Sequence, residues 1–278
     1  MFIYTDAHCH LHQPALRAQL ESILLGSPEF CIVSAAACEA DWQDLETVHK
    51  EMRQRFPQSR FLICLGLHPQ EAAGFCSDPI ASDRALKKLE EALSSGGDGI
   101  AAVGEIGLDN SLIKKAAPEQ RGLLAETQRR LLISQLELAR RFRLPAVLHC
   151  VKAHGALQDA LRGFPGLPAS LLHGFYGSPD LLRSYLKYDL YISFSAALLL
   201  RDSASPDWLE RKARWQALAN MLPLERLLPE SDSCLRPDGS VTPPRTTVQA
   251  AAVLAELYRC PAETVLEQAR SNLRRWLF

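Results

Sequence analysis

Two histidines one residue apart, His8 and His10, stand near the start of the chain. In an extended segment, residues two apart project to the same side, so both imidazoles can face one point while Cys9 points away. That spacing suits two ligands on one metal ion. Further donors close short apolar runs along the chain: His68 in Gly66-Leu67-His68-Pro69, Glu105 in Gly104-Glu105-Ile106-Gly107-Leu108-Asp109, His149 in Val147-Leu148-His149-Cys150, His173 in Leu172-His173-Gly174-Phe175, and Asp232 in Pro229-Glu230-Ser231-Asp232-Ser233. Six of these side chains (His8, His10, Glu105, His149, His173 and Asp232) form a metal-ligating set. One ion that keeps an open position is over-supplied by six donors, whereas two ions bridged by Glu105 use them all. His68 ends the third run, where it can reach a phosphate or a leaving group. His12 and His154 read as loop or helix-start residues, and His49, inside a helical stretch, as a surface residue.

The elements that must position these donors follow from the patterning. Eight β-branched or apolar runs recur: Phe2–Asp6, Phe30–Ala36, Arg60–Gly66, Ile100–Glu105, Leu144–His149, Ser170–His173, Leu190–Phe194 and Leu227–Asp232. Their starts lie roughly 30 residues apart, the length of one βαβ unit. Helical patterns fill the intervals at Ala40–Phe56, Ser82–Leu93, Pro118–Phe142, Ala153–Arg162, Ser178–Tyr188, Trp208–Met221, Thr246–Tyr258 and Ala262–Trp276. The clearest, Pro118–Phe142, opens on Pro118 and Glu119 and stops before Pro145, whose ring forces the preceding residue out of the helical region. Eight strands alternating with helices predict an α/β protein, a closed (β/α)₈ (TIM) barrel of one domain spanning residues 1–278. An open doubly wound sheet would carry a Gly-rich phosphate loop after the first strand; here that strand runs into Asp6-Ala7-His8-Cys9-His10. In a barrel the active site lies at the C-terminal ends of the strands, where the donors fall.

Composition narrows the function. Lys and Arg total 31 against 32 Asp and Glu, a net charge of −1, which argues against a general polyanion binder. A flat balance fits a protein that handles strand ends rather than long duplex. No apolar run reaches the roughly 20 residues of a membrane span, and the first residues lack the layout of a secretion signal. The eight cysteines include no C-x-x-C pair and read as reduced, mostly buried thiols. These features predict a cytoplasmic location, no membrane contact and no obligate protein partner. Basic clusters at Arg129-Arg130, Arg140-Arg141-Arg143 and Arg274-Arg275 read as solvated helix faces. Arg201 and Arg211-Lys212-Arg214, beyond the seventh strand, are better placed to meet phosphates, and Phe175, Tyr176 and Trp208 could stack on unpaired bases.

In order and spacing, Asp6-Ala7-His8-Cys9-His10-Leu11, Gly66-Leu67-His68-Pro69, Gly104-Glu105-Ile106-Gly107-Leu108-Asp109, Leu148-His149, His173-Gly174-Phe175-Tyr176-Gly177-Ser178 and Glu230-Ser231-Asp232-Ser233 resemble the TatD family of metal-dependent hydrolases. The resemblance covers nearly the whole chain and implies an amidohydrolase-type barrel. It implies a first metal held by His8, His10, Asp232 and Glu105, and a second by Glu105, His149 and His173. The implied activity is a metal-dependent deoxyribonuclease, often a 3′-to-5′ exonuclease, acting on DNA ends or single-stranded DNA. Asp232 would serve as general base and then general acid. Ligand softness suits Zn, Mn, Ni or Fe, while the resemblance points to Mg or Mn. Two positions depart from the family pattern. Val151 stands where an arginine is usual, which removes a phosphate contact, and Cys234 replaces the proline after the Asp232 motif. Two alternatives stand beside the nuclease. One is a hydrolase of a small ester, lactone, amide or phosphate ester on the same metals; the other is a non-catalytic metal-binding scaffold.

Overall fold

The structure, a computed structural model, describes residues 3–14, 16–17, 29–234, 242 and 245–278. Seven strands form one sheet in chain order: β1 (Ile3–Cys9), β2 (Glu29–Ala35), β3 (Arg60–Leu65), β4 (Ile100–Asp109), β5 (Ala146–Val151), β6 (Ser170–Leu172) and β7 (Leu190–Ile192). Every neighbouring pair is parallel. The described helices are α1 (Asp41–Arg55), α2 (Ala72–Ser77), α3 (Pro79–Ser94), α4 (Asn110–Lys115), α5 (Arg121–Phe142), α6 (His154–Arg162), α7 (Pro179–Tyr185), α8 (Ala196–Ser203), α9 (Trp208–Ala219), α10 (Thr246–Tyr258) and α11 (Ala262–Leu277). The fold is a (β/α)₈ barrel. Among the described residues, no helix is long and apolar enough to cross a membrane.

The sequence reading locates the seven strands and the longer helices, and three differences have physical causes. The first strand runs on past Asp6 to Cys9, so His8 lies within it; Phe2 falls outside the described residues. The short α2, α4 and α8 are each too brief to leave a periodic pattern. Leu227–Asp232 is not a regular eighth strand. It contributes isolated bridges, Leu227 to Ile192 and Glu230 to Ser195, because Pro229 has no N–H to give and Asp232 turns left-handed at φ 50°. The segment still closes the barrel. Leu228 N–H donates to the Ile192 carbonyl at 3.0 Å, Ala7 N–H to Pro229 at 3.1 Å, Asp232 N–H to His8 at 3.0 Å and His10 N–H to Ser233 at 2.8 Å. The buried Asp6 carboxylate stitches the same seam, accepting from the backbone N–H of Ser231 at 2.9 Å and from the Ser231 hydroxyl.

Two apolar layers fill the structure. One lies between sheet and helices and includes Tyr4, Phe30, Ile32, Ile63, Val103 and Leu148. The other fills the barrel interior with mostly small side chains, among them Ala7, Val33, Cys64, Ala102, Val147 and Leu171. Leu273 and Trp276 of α11 join this inner cluster and seal the end of the barrel where the strands begin.

α5 does more than cover the sheet. Its apolar stripe, Leu124, Leu131, Leu132, Leu136 and Ala139, is buried, each leucine contributing about 1.5–3 kcal/mol. The buried amides of Gln128 and Gln135 on this helix bind backbone instead. Gln135 accepts from Leu67 N–H at 2.7 Å and donates to the Leu67 carbonyl at 3.1 Å; Gln128 accepts from Asp109 N–H at 2.9 Å. One helix thereby fixes the segments leading to His68 and away from Glu105.

Gly104 of β4 packs closely against Val147 of β5, with Gly66 approaching its backbone. A Cβ there would lie 2.6 Å from Val147 Cβ, closer than atoms tolerate. Gly104→Ala is therefore expected to lower the unfolding free energy by about 1–3 kcal/mol, read as a lower urea midpoint at unchanged m-value; an unchanged midpoint would show that the crowding is relieved elsewhere.

Candidate metal centre

A residue-by-residue phase argument shows how the donors come to face inward. Tyr4 and Phe30 pair across β1 and β2 and both belong to the outer layer, as does Ile32, the partner of Asp6. Strict alternation from Asp6 would send His8 and His10 outward too. Instead Asp6 pairs with Ile32 and Cys9 with Ser34, three steps on one strand against two on the other. This β-bulge inserts one residue and reverses the phase. β4 repeats the device: Val103 pairs with Ala146 and Ile106 with Leu148. Val103 lies in the outer layer, so without the extra residue Glu105 would point away from the barrel.

Glu105 is the hub. It is buried, and its two oxygens face different partners. Oε2 lies 3.4 Å from His8 Nε2 and 3.3 Å from His10 Nε2. Oε1 lies 2.7 Å from both His149 Nδ1 and His173 Nε2, which are 3.1 Å from each other, and 3.5 Å from His68 Nε2. Asp232 Oδ1 approaches the first group, 3.7 Å from His8 Nε2 and 3.9 Å from His10 Nε2. All seven residues singled out in the sequence therefore meet at one mouth.

The electrostatics follow from burial and this crowding. Burial alone would raise the Glu105 carboxyl, but the surrounding imidazoles, His173 foremost and then His68 and His8, hold it well below the usual carboxylate range. Burial pushes His8 down to about 4, helped by the neighbouring His173, and also lowers His68. Burial opposes protonation of His10, His149 and His173 as well, yet carboxylates outweigh it in each: Glu105 for His10, Asp109 and Glu105 for His149, Glu105 and Glu230 for His173.

Three groups of donor atoms each lie within 4.8 Å of one another: His8, Glu105 and His173; His8, His10 and Asp232; His68, Glu105 and His149. Donors each about 2.1 Å from one ion stand up to ~4.2 Å apart, so a small inward shift suffices to share a cation. A second observation agrees. His8 Nε2, which faces Glu105 and Asp232, is buried without a hydrogen-bond partner, an arrangement that costs free energy unless a cation takes up its lone pair. The residues fit a divalent-metal site.

Several positioning residues escape the sequence reading. His10 Nδ1 lies 2.9 Å from the Ala35 carbonyl, which leaves Nε2 as the free donor atom. Asp109 Oδ2 stands 3.7 Å from His149 Nε2 while Oδ1 caps α4 through Ser111 N–H at 2.6 Å. The fully buried Glu230 accepts from Gly174 N–H at 2.7 Å and faces His173 Nδ1 at 3.5 Å. Asp109 and Glu230 stand inside motifs already quoted, and a carboxylate beside each candidate histidine was the available signal. His12 is buried against Asp41, Nε2 to Oδ1 3.3 Å. His154 lies apart, with Nδ1 3.3 Å from Cys150 Sγ and 3.0 Å from the Tyr185 hydroxyl. The surface reading of His49 is wrong: it is buried, Nδ1 2.6 Å from the Phe61 carbonyl. Arg201 and Arg211 are drawn to the buried Asp202, at 3.4 and 2.7 Å, Lys212 pairs with Glu256, and Arg214 stacks 3.7 Å above the Tyr176 ring. β5 ends at Val151 and Lys152 turns left-handed at φ 54°, its side chain exposed.

The profile of the TatD related DNase family matches residues 5–277. The chain belongs to that family. Deoxyribonuclease TATDN3 of Homo sapiens is 28% identical over 274 residues, covering 96% of this chain and 92% of the human protein. A 3′-5′ ssDNA/RNA exonuclease TatD of Pantoea ananatis is 30% identical over 173 residues, 60% of this chain and 56% of that protein. The crystal structure of YJJV, a TatD homolog from Escherichia coli, superposes with a TM-score of 0.76 at 25% identity, covering 99% of this chain and 97% of that one. This TatD-type protein is accordingly a metal-dependent hydrolase acting on ester bonds, of deoxyribonuclease type.

Two measurements test the supporting residues. In Glu230→Gln the amide oxygen keeps the Gly174 bond but loses the charge beside His173; ion binding by calorimetry is expected to weaken about 10- to 100-fold, with the circular dichroism of the fold retained. Asp41 is held well below the usual carboxylate range: burial would raise it, but His12 and the N–H groups of Ala37 and Cys38 outweigh this. A depressed carboxylate stabilises the fold above its unfolded value near ~3.9 and loses that contribution as pH falls toward the folded one. Asp41→Asn is expected to lower the urea midpoint at pH 7, the gap to the parent chain closing below about pH 4. A gap that persists into acid would show that the carboxylate charge is not the cause.

Proposed function

We propose that this chain is a two-metal deoxyribonuclease that removes nucleotides from the 3′ ends of single-stranded DNA. The observation that carries the reading is the division of Glu105, one oxygen toward His8 and His10 and the other toward His149 and His173. That division suits a carboxylate bridging two cations, the first completed by Asp232. Bound divalent ions, Mg or Mn with Zn as the competing candidate, supply Lewis acidity that acidifies water and neutralises charge on the phosphoryl oxygens.

The residues of the chain divide the remaining work. Glu105, ionised by its surroundings, holds the two halves of the site together. Asp232 is the reachable carboxylate, its side chain 39% exposed at the mouth. It takes the proton from the attacking water and returns it to the leaving oxygen. His68 accepts the Gln70 N–H on Nδ1 at 3.2 Å. Its proton therefore sits on Nε2 in the neutral ring, aimed into the site as a hydrogen-bond donor to a phosphate or leaving oxygen. Lys152, Arg201 and Tyr176, all exposed, offer charge and a stacking face around the mouth. The relatives named for DNase and exonuclease activity, together with the flat net charge, support strand ends as substrate. The eight cysteines are free thiols, which supports a reducing, cytoplasmic location. Val151, which offers no charge at the end of β5, favours the second reading: a small ester, lactone or phosphate ester as substrate.

The test uses metal-loaded protein and a single-stranded oligonucleotide labelled at either end. The 3′ label is expected to leave first as a mononucleotide while the 5′ label descends a ladder, and chelation is expected to stop both. Asp232→Asn should lower kcat about 10²- to 10⁴-fold. Undiminished hydrolysis by this variant would overturn the role of Asp232, and faster turnover of lactones or small esters than of the oligonucleotide would overturn the DNA reading.

A further inference from the structure

The opposite end of the barrel carries a second concentration of charge that the metal centre does not use. A cavity of about 360 Å³ opens there, lined by Glu29, Phe30, Cys31, Gln58, Arg60, Arg270, Arg274 and Phe278. Glu29 and Arg60 are the first residues of β2 and β3, so the cavity faces away from the mouth, about 20 Å along the strands at ~3.3 Å per residue. Arg270 and Arg274 stand four apart on α11, so their side chains share one face of that helix. Elsewhere arginines are mostly partnered: Arg17 by Glu51, Arg130 by Asp83, Arg141 by Glu90, Arg226 by Asp189. Arg60, Arg270 and Arg274 have no carboxylate within ion-pair distance and no side-chain hydrogen bond among the described residues. Glu29 is the single acidic side chain in the lining, and the C-terminal turn of α11, with Phe278 at the rim, adds further negative charge. Three arginines thus line a concave space, with Phe278 at its edge.

We propose that this cavity binds a small phosphorylated molecule, its phosphate held by Arg60, Arg270 and Arg274. Guanidinium forks match phosphate oxygens in pairs, and the volume lies within the range of small-ligand sites. The site is separate from the metal centre, and its existence does not depend on the nuclease reading.

Calorimetry separates the two sites with three probes: inorganic phosphate, pyrophosphate and deoxyadenosine monophosphate. Each is titrated into metal-loaded protein and again after chelation. Binding at the metal centre is expected to vanish on chelation, whereas binding at the arginine cavity persists and weakens with added salt. The double variant Arg270→Gln, Arg274→Gln should weaken the persistent binding at least tenfold while oligonucleotide hydrolysis stays unchanged. Arg60→Gln alone should weaken it severalfold, which covers the case in which the double variant folds poorly. Tighter binding of the nucleotide than of inorganic phosphate would show that the aromatic edge contributes, and the reverse order would identify the free anion as the ligand. Absence of chelation-resistant binding for all three probes, or equal binding by the parent chain and the variants, would overturn the proposal.

Discussion

One buried carboxylate organises this molecule. Glu105 stands within 3.5 Å of a ring nitrogen on each of five histidines. Five imidazoles crowded into a barrel interior would repel one another whenever more than one carried a proton, and burial already disfavours their charged forms. A single negative charge at the centre gives them a common partner. It does not satisfy them all, since His8 Nε2, facing Glu105 and Asp232, remains without a hydrogen-bond partner. The cluster is therefore arranged for additional positive charge that arrives with its own coordination demand, which is the behaviour of a divalent-ion site. The surrounding carboxylates, Asp109 behind His149 and Glu230 behind His173, orient the rings from outside in the same way.

That constraint propagates through the fold. The hub must point inward, so β4 carries a bulge beside it, and β1 carries another for His8 and His10. A bulge weakens the local ladder, and the structure compensates nearby. Gln128 and Gln135 of α5 take over the backbone groups flanking the site. Gly104 lets β4 approach Val147 of β5 where a side chain would not fit. The seam between β1 and Pro229–Ser233 is tied by Asp6 as well as by backbone bonds. The apolar cluster of the barrel interior, which Leu273 and Trp276 join, supplies the burial that lets the mouth remain polar.

How far the sequence discloses all this depends on the kind of constraint. Donor residues at the ends of apolar runs are visible because barrel topology converts distant sequence positions into neighbours at one rim, and His8, His10, His68, Glu105, His149, His173 and Asp232 do converge there. The bulges are not visible. An inserted residue changes phase without changing residue type, and simple alternation from His8 to His10 reads the same with or without it. The burial of His49 is hidden for a related reason: a helical stretch does not say which face meets Phe61. The eighth strand could be located but not its irregularity, although Pro229 within the run was the signal. Asp109 and Glu230 were in view but unassigned, because a carboxylate near a histidine in sequence need not touch it in space.

The irregularity of that last segment bears on the chemistry. Asp232 adopts φ 50°, a conformation costly for a residue with a side chain, and it is held there by its N–H bond to the His8 carbonyl at 3.0 Å. A regular strand would have aimed alternate side chains fully into or out of the barrel. The left-handed turn instead leaves the Asp232 carboxylate at the rim, close to His8 and His10 yet open to solvent. Glu105 and Asp232 therefore occupy opposite environments within one cluster. Glu105 is buried among imidazoles and held well below the usual carboxylate range, so it cannot take up a proton near neutral pH. The Asp232 side chain is 39% exposed at the rim. The first is placed to hold the cluster together, and the second to meet whatever enters the mouth. In this chain the backbone geometry of a strand that fails to form as a ladder is what separates the two.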